Sequence, residues 1–161
     1  MTYIKRQNIS KTWPIMRKGT KYVVMPSHAK KQGIPLLIIM RDILEFVKTR
    51  KELKKIIYEE KVLVNGKIVR EENLALVLFD NLSLPLLKKN YKLTLGENKK
   101  IKLDEIKGIE AGKKISKVIG KKILKGNKTQ INLLDGRNLL TDEKIKVGDS
   151  VLVKIADKKI E

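Results

Sequence analysis

The chain of 161 residues contains no cysteine, one histidine and one tryptophan. Without cysteine there is no disulfide framework and no thiolate metal site. A lone His28 cannot build a usual metal site, and with no partner Ser, Cys or carboxylate motif it forms no triad. Aromatics make up 4% of the residues, too few for binding dominated by base stacking. No apolar run approaches the roughly 20 residues that span a bilayer, and the first residues lack the apolar core of a signal peptide. A phosphate loop is also missing. Five residues separate Gly120 from Gly126 and Asn127 precedes Lys128, whereas that motif needs four between its glycines and Lys directly after the second. Glu59-Glu60 and Glu71-Glu72 are paired carboxylates, but both flank turns, where solvated acids are routine. No catalytic constellation emerges, and no cofactor, metal, small-molecule substrate or membrane partner is expected.

What is abundant is positive charge. Lys and Arg number 37 against 18 Asp and Glu, a net +19 with a pI near 10.0. Such a surplus opposes compaction by self-repulsion unless a polyanion neutralises it. Nucleic acid is the leading partner and an anionic membrane surface the second, although no lysine-flanked amphipathic helix with large aromatics supports the membrane. The charge is unevenly spread. Residues 1–34 hold 8 basic and no acidic side chains, residues 35–84 hold 9 and 8, and residues 85–161 hold 20 and 10. A cytosolic protein fits this composition.

The pattern is clearest from Pro35 to Arg70. Pro35 suits the first position of a helix, and Leu36, Leu37, Ile39, Met40, Ile43, Leu44 and Val47 follow at helical spacing. Thr49 and Glu52 form a capping box for a second helix. Leu53, Ile56 and Ile57 face a core, while Lys51, Lys54, Lys55 and Tyr58 share the opposite, exposed face. Asn65-Gly66 between two apolar runs predicts a type I′ hairpin. Three lysines and a tyrosine beside a tight hairpin make a platform for phosphates; a merely solvated helix face is the alternative.

Residues 1–34 show little periodicity. Trp13, Ile15 and residues 22–25 are short apolar anchors among Lys5, Arg6, Lys11, Arg17, Lys18, Lys21, Lys30 and Lys31, and the segment reads as a basic extension lying along a partner, with His28 as a structural or RNA contact. After Arg70, residues 74–84 read as one buried strand ended by Pro85. Residues 91–95 and 100–103 begin two more. Residues 108–128 hold seven lysines and one acid; Ile115, Val118, Ile119, Ile123 and Leu124 fit short strands as well as a helix, Gly112 and Gly120 weaken the helix, and strands are preferred for the stretch that carries Lys113, Lys114, Lys117, Lys121, Lys122 and Lys128. Asp135-Gly136 signals another hairpin with Arg137 beside it, and residues 144–153 turn into a last strand. Short strands with glycine-containing turns predict a small β-barrel or sandwich.

Thr49-Arg50 opening a basic helix, followed by residues 61–67, resembles the alpha-L (S4-like) RNA-binding domain. Trp13-Pro14, residues 34–37 with Arg41-Asp42, residues 128–133 with 135–138, and residues 145–149 resemble the S4e family of small-subunit ribosomal proteins, the archaeal and eukaryotic type, in order and spacing over essentially the whole chain. The resemblance implies an α+β protein: a basic extension over residues 1–34, an alpha-L module of two helices and a hairpin over 35–84, and a β-rich, barrel-like central domain over 85–161. It implies that Thr49, Arg50, Lys51, Lys54 and Lys55 face RNA, with Asn65, Gly66 and Lys67 at the hairpin tip and Arg70 beside them. Two departures stand out. Glu60 occupies a position where many alpha-L domains have Gly, and the family usually continues into a third, KOW-type domain beyond residue 161.

The reading is therefore a non-enzymatic constituent of the small ribosomal subunit, cytoplasmic on the ribosome, with small-subunit rRNA and neighbouring ribosomal proteins as partners. Two rivals remain. A free-standing alpha-L binder in stress or ribosome quality control would use the same module, and an RNA-modifying enzyme would carry it as a targeting arm.

Overall fold

Two buried clusters organise the chain in a computed structural model, which describes residues 3–125, 128–155 and 160. Gly126 and Asn127, within the segment that fails the phosphate-loop pattern, lie outside the described residues. The larger cluster runs from Trp13 and Val23 through Leu53 and Ile57 to Leu93 and Ile101. The smaller one gathers Val118, Ile131, Leu133, Leu139, Val151 and Val153. The architecture mixes helix and strand, with strands predominating.

The N-terminal segment, expected as a basic extension lying along a partner, packs onto the body. Strand β1 (Tyr3–Lys5) pairs antiparallel with β2 (Tyr22–Val24), with Ile4 opposite Val23. Arg6 ties the intervening loop, donating to Thr20 O at 2.7 Å, Met16 O at 2.6 Å and Thr20 Oγ1 at 2.8 Å. Trp13 is only 4% exposed. Of the anchors read in the sequence, Trp13 and Val23 are buried in the larger cluster, and Ile15 and Val24 pack against it.

Strand β3 (Ile34–Pro35) pairs with β6 (Ala75–Leu76), so Pro35 ends a strand just before the helix instead of opening it. Helix α1 (Leu36–Ile38) widens into a π-helical turn over Ile39–Ile43, closed by Leu44 N–H donating to Ile39 O at 2.9 Å. Its first free N–H groups are satisfied from outside, Leu36 by Leu74 O at 2.9 Å and Leu37 by Glu72 O at 3.0 Å. The helix is shorter than its apolar spacing predicts, and Val47 is buried from a loop. Residues 36–40 are buried on every side, so packing, not an amphipathic stripe, sets its length.

Helix α2 (Arg50–Tyr58) follows its sequence signals closely. Glu52 N–H donates to Thr49 Oγ1 at 3.3 Å, and Glu52 Oε2 accepts from Thr49 N–H at 3.3 Å and Lys48 N–H at 2.8 Å. Strands β4 (Leu63–Val64) and β5 (Lys67–Ile68) flank Asn65 and Gly66, whose φ values of 50° and 73° suit a type I′ turn.

The run expected as one strand over 74–84 divides into β6 and β7 (Asn81–Leu84). Asp80 makes the break: its Oδ2 accepts from Val77 N–H at 2.7 Å, a local bond that competes with strand pairing. A 3-10 turn at Pro85–Leu87 leads to β8 (Lys89–Leu95) and β9 (Ile101–Ile106). The first sheet has the order β5-β4-β7-β8-β9, so it runs straight across Pro85, and Tyr91, Leu93 and Ile101 belong to the larger cluster. A turn of helix, α3 (Gly108–Ala111), precedes β10 (Lys113–Ile123), β11 (Thr129–Leu133), β12 (Asn138–Thr141) and β13 (Ser150–Lys154). Their order is β12-β11-β10-β13. Residues 113–117 of β10 pair with β13 and residues 118–123 with β11, with a bulge between Val118 and Gly120.

Candidate nucleic-acid interface

Helix α2 carries the cleanest basic face. Lys51, Lys54, Lys55 and Tyr58 are all exposed, Tyr58 to 90%, while Leu53 and Ile57 are buried beneath them. Arg70 stands beside this face across a shallow groove whose walls include Lys54, Tyr58 and Asn73. Lys67 at the hairpin is exposed as well. Thr49 serves as the cap of the helix. Hydrogen bonds from Lys48 and Thr49 hold the Glu52 carboxyl below its ordinary value, so the acid at the helix start is spent on the backbone.

Arg50 is different. Its Nε donates to Glu72 Oε1 at 2.6 Å and its NH1 to Tyr3 Oη at 2.6 Å, and the guanidinium lies 5.9 Å from the centre of the Tyr3 ring. Its hydrogen bond to Glu72, with a smaller one to Tyr3, raises its pKa above the ordinary arginine value despite the opposing desolvation. Arg50 therefore joins α2, the 72–74 segment and β1, and offers only part of its donor fork to solvent.

A second basic cluster surrounds the loop between β1 and β2. Lys5, Arg17, Lys18 and Lys21 are exposed around a groove that Arg6 also lines. Arg6 itself is the structural tie described above. Lys11 borders a neighbouring groove with Arg17 and Lys100. His28, Lys30 and Lys31 are exposed, with Ser27 Oγ 3.0 Å from His28 Nδ1. Arg41 is paired with the adjacent Asp42 at 2.8 Å, which reduces its free charge.

The lysines of β10 do not form one surface. Pleating turns Lys117 outward and Lys114 inward. Beyond the bulge Lys121 and Lys122 are both exposed: Lys122 is in register with Gln130 and Leu140, and Lys121 pairs with the buried Ile131 and donates to Ile145 O at 3.3 Å. Lys113 is half-buried and Lys128 exposed. Arg137 is half-buried, its Nε 3.7 Å from Asp135 Oδ2.

Two expected contact residues point into the protein. Lys114 is 3% exposed, its Nζ 2.6 Å from Asp80 Oδ1 and 2.9 Å from Asp135 Oδ2. Asn65 is 8% exposed; its Nδ2 donates to Asp80 Oδ1 at 2.8 Å and its Oδ1 accepts from Asn81 N–H at 3.0 Å. The neighbouring Gly66 is exposed, and a Cβ there would lie 3.4 Å from Cγ2 of Ile155, the residue after β13. A buried ammonium needs paired carboxylates and a buried amide needs partners, so both side chains build the junction between the sheets and leave the basic surface. Asn81 completes that junction by donating to Ala111 O at 2.8 Å and Lys113 O at 2.9 Å.

Glu72, Asp80 and Asp135 are the residues that charge counting missed. Each is an acid in a basic chain, and each orients a cation. A buried acid leaves a trace in the sequence only as a carboxylate next to apolar positions, as Asp80 is beside Phe79 and Leu82. Among the described residues no group of three or more His, Cys, Asp or Glu is placed to hold a metal, and no helix is long and apolar enough to cross a membrane.

Comparison with known proteins agrees with this architecture. Residues 87–160 match the model of Ribosomal family S4e. The small ribosomal subunit protein eS4 of Methanocella arvoryzae is 36% identical over 99% of this chain and 68% of its own length. Its counterpart from Archaeoglobus fulgidus is 35% identical over 97% of this chain and 66% of its own. The crystal structure of the 30S ribosomal protein S4e from Thermoplasma acidophilum superposes with a TM-score of 0.67 at 34% identity, over 82% of this chain and 68% of that one. The chain thus spans about two thirds of the length of these relatives.

Proposed function

The chain belongs to Ribosomal family S4e, and we propose that it is an architectural constituent of the small ribosomal subunit that binds ribosomal RNA through sorted basic surfaces. The observation that carries this reading is the α2 face, where Lys51, Lys54, Lys55 and Tyr58 stand exposed with Arg70 beside them. In this reading α2 and the β4–β5 hairpin act as an alpha-L-type RNA-binding module. The exposed lysines and arginines around the β1–β2 loop, with Lys117 and Lys122 of β10, extend the contact.

The mechanism is electrostatic and geometric. Ammonium and guanidinium groups neutralise phosphates and release their counterions, so affinity falls steeply with salt, by about a thousandfold or more from 50 to 200 mM for six to ten contacts. The cations sit on a helix face and a pleated sheet, elements that hold them at fixed spacing and so select the shape of folded RNA over its linear sequence. Neighbouring ribosomal proteins complete the set of partners, and the ribosome in the cytoplasm is the expected location.

Sedimentation of cell extract at moderate salt tests the assignment. Stoichiometric presence with small subunits and full ribosomes is the expected outcome. Scarcity there, with the protein in free fractions or on large subunits, overturns it in favour of a quality-control RNA binder.

A further inference from the structure

The second sheet has an outer face that the packing of the chain leaves open. Its inner face buries Ile131, Leu133 and Leu139. Pairing and pleating therefore place two cross-strand rows on the other side, Lys122 with Gln130 and Leu140, and Gly120 with Asn132 and Asn138. Lys117 lies on that side too, opposite Leu134, whose N–H donates to Lys117 O at 2.9 Å. Lys117, Lys122, Asn138 and Leu140 are exposed. Gly120 raises no side chain in its row, where a Cβ would lie 3.4 Å from Asn132 Nδ2, so the face is low there. None of the four strands of this sheet contains an acidic or an aromatic residue.

Resting on the rRNA-binding reading above, we propose that this face seats the minor groove of an RNA double helix. That groove is wide and shallow and displays 2′-hydroxyls, whereas the major groove is too narrow for side chains to read. A pleated face with a low row fits the shallow groove. A 2′-hydroxyl both donates and accepts, and so do the amides of Gln130, Asn132 and Asn138. Gln130 Nε2 donates to Asn132 Oδ1 at 2.9 Å, which holds two of these amides side by side. Lys117 and Lys122 are five residues apart on β10, about 15 Å at the rise of an extended strand. They are too far apart to share one phosphate, so each takes its own and the amide rows lie between the contacts. The absence of acids leaves nothing to repel the phosphates. The absence of aromatics leaves splayed bases no ring to stack on, which sets single-stranded RNA aside. The two rows carry three amides and one aliphatic side chain, a composition that suits a hydroxyl-lined groove better than an apolar protein segment.

The test uses the full chain carrying Lys51→Glu and Lys54→Glu, which takes the α2 face out of the measurement. Fluorescein-labelled duplexes of one sequence of about 16 base pairs, the span of a double-stranded RNA-binding module, are made as RNA, as 2′-O-methyl RNA and as DNA. They are compared with the single RNA strand by anisotropy at low salt. The RNA duplex is expected to bind about tenfold tighter than the 2′-O-methyl duplex, the scale of one or two lost hydrogen bonds, and tighter than the DNA duplex or the single strand. Gln130→Leu combined with Asn138→Leu should remove the preference for RNA over 2′-O-methyl RNA, whereas Lys117→Gln should weaken every duplex alike. The comparison among probes alters only the nucleic acid, so it stands even if a protein variant folds poorly. Equal affinity for the RNA and 2′-O-methyl duplexes, tighter binding of the single strand, or a preference that survives the double leucine variant overturns the proposal. Binding of none of the probes overturns it as well and gives the face to a protein partner. Each of these results defeats the minor-groove site alone, while loss of sedimentation with small subunits defeats the rRNA reading itself.

Discussion

Lys114 Nζ lies 2.6 Å from Asp80 Oδ1 with both side chains buried, and this ion pair bridges the two sheets. Asp135 holds the same ammonium from the far side at 2.9 Å, while Asn65 at the hairpin tip donates to Asp80 at 2.8 Å. A single cation therefore links β10, the turn before β7, the hairpin and the Asp135-Gly136 turn. The hairpin is held against the second sheet by side chains that never reach the surface.

Replacing that cation should be severe. Lys114→Met leaves the buried Asp80 carboxylate without its counter-charge and Asp135 with only the more distant Arg137, a change that costs about 3–5 kcal/mol. Urea denaturation should show a lower midpoint by that amount. The loss should be much larger than for Lys117→Met on the outward side of the same strand, which a surface substitution alters by about 0.5 kcal/mol or less.

The junction should also give the protein an acid limit. Burial pushes the Asp135 carboxyl up, but its hydrogen bond and charge interaction with Lys114, helped by the Arg137 N–H, outweigh burial and hold it below its ordinary value of 3.8. A carboxylate depressed in the folded state stabilises fully above its unfolded pKa and ceases to do so as pH falls through the folded one. The urea midpoint should therefore hold near neutrality and drop as pH falls from about 4 downward. Asp135→Asn should be less stable at pH 7 and lose less on acidification, a comparison that a pH series of unfolding curves makes directly.

Glu60 offers a change in the other direction. It ends α2 with φ at 55°, in the left-handed region that costs a residue with a Cβ about 1 kcal/mol more than glycine. Glu60→Gly should raise thermal stability by about 2–4 °C, and it removes an acid next to the basic face. A thermal melt checks the first effect, and a small gain in rRNA affinity at low salt accompanies it.

Function and folding should separate on α2. Lys51→Glu combined with Lys54→Glu changes exposed side chains only, so the melting temperature should stay near wild type. Affinity for small-subunit rRNA should fall by at least about tenfold, and the slope of log affinity against log salt should decrease by about two. Unchanged affinity would remove this face from the interface. Thr49→Ala, by contrast, should cost about 1 kcal/mol in stability through the lost cap, with little effect on the salt slope.

The sequence by itself determined the parts whose signals are local. The Thr49–Glu52 box, the Asn65-Gly66 turn, the exposed lysine face of α2 and the Asp135-Gly136 turn depend on neighbours within a few residues, where hydrogen bonds and φ preferences act without help from the rest of the chain. Motif order pointed to the S4e family, and the net charge of +19 pointed to a polyanion. What only the tertiary structure decided are relationships between distant residues. Arg50 meets Glu72 and Tyr3, Lys114 meets Asp80 and Asp135, and Trp13 finds a core that orders the N-terminal segment. The same lysine chemistry reads alike in a sequence whether its ammonium faces solvent or two buried carboxylates. Strand pleating and the packing of one sheet against the other choose between those environments, and neither is encoded within a short window of the chain.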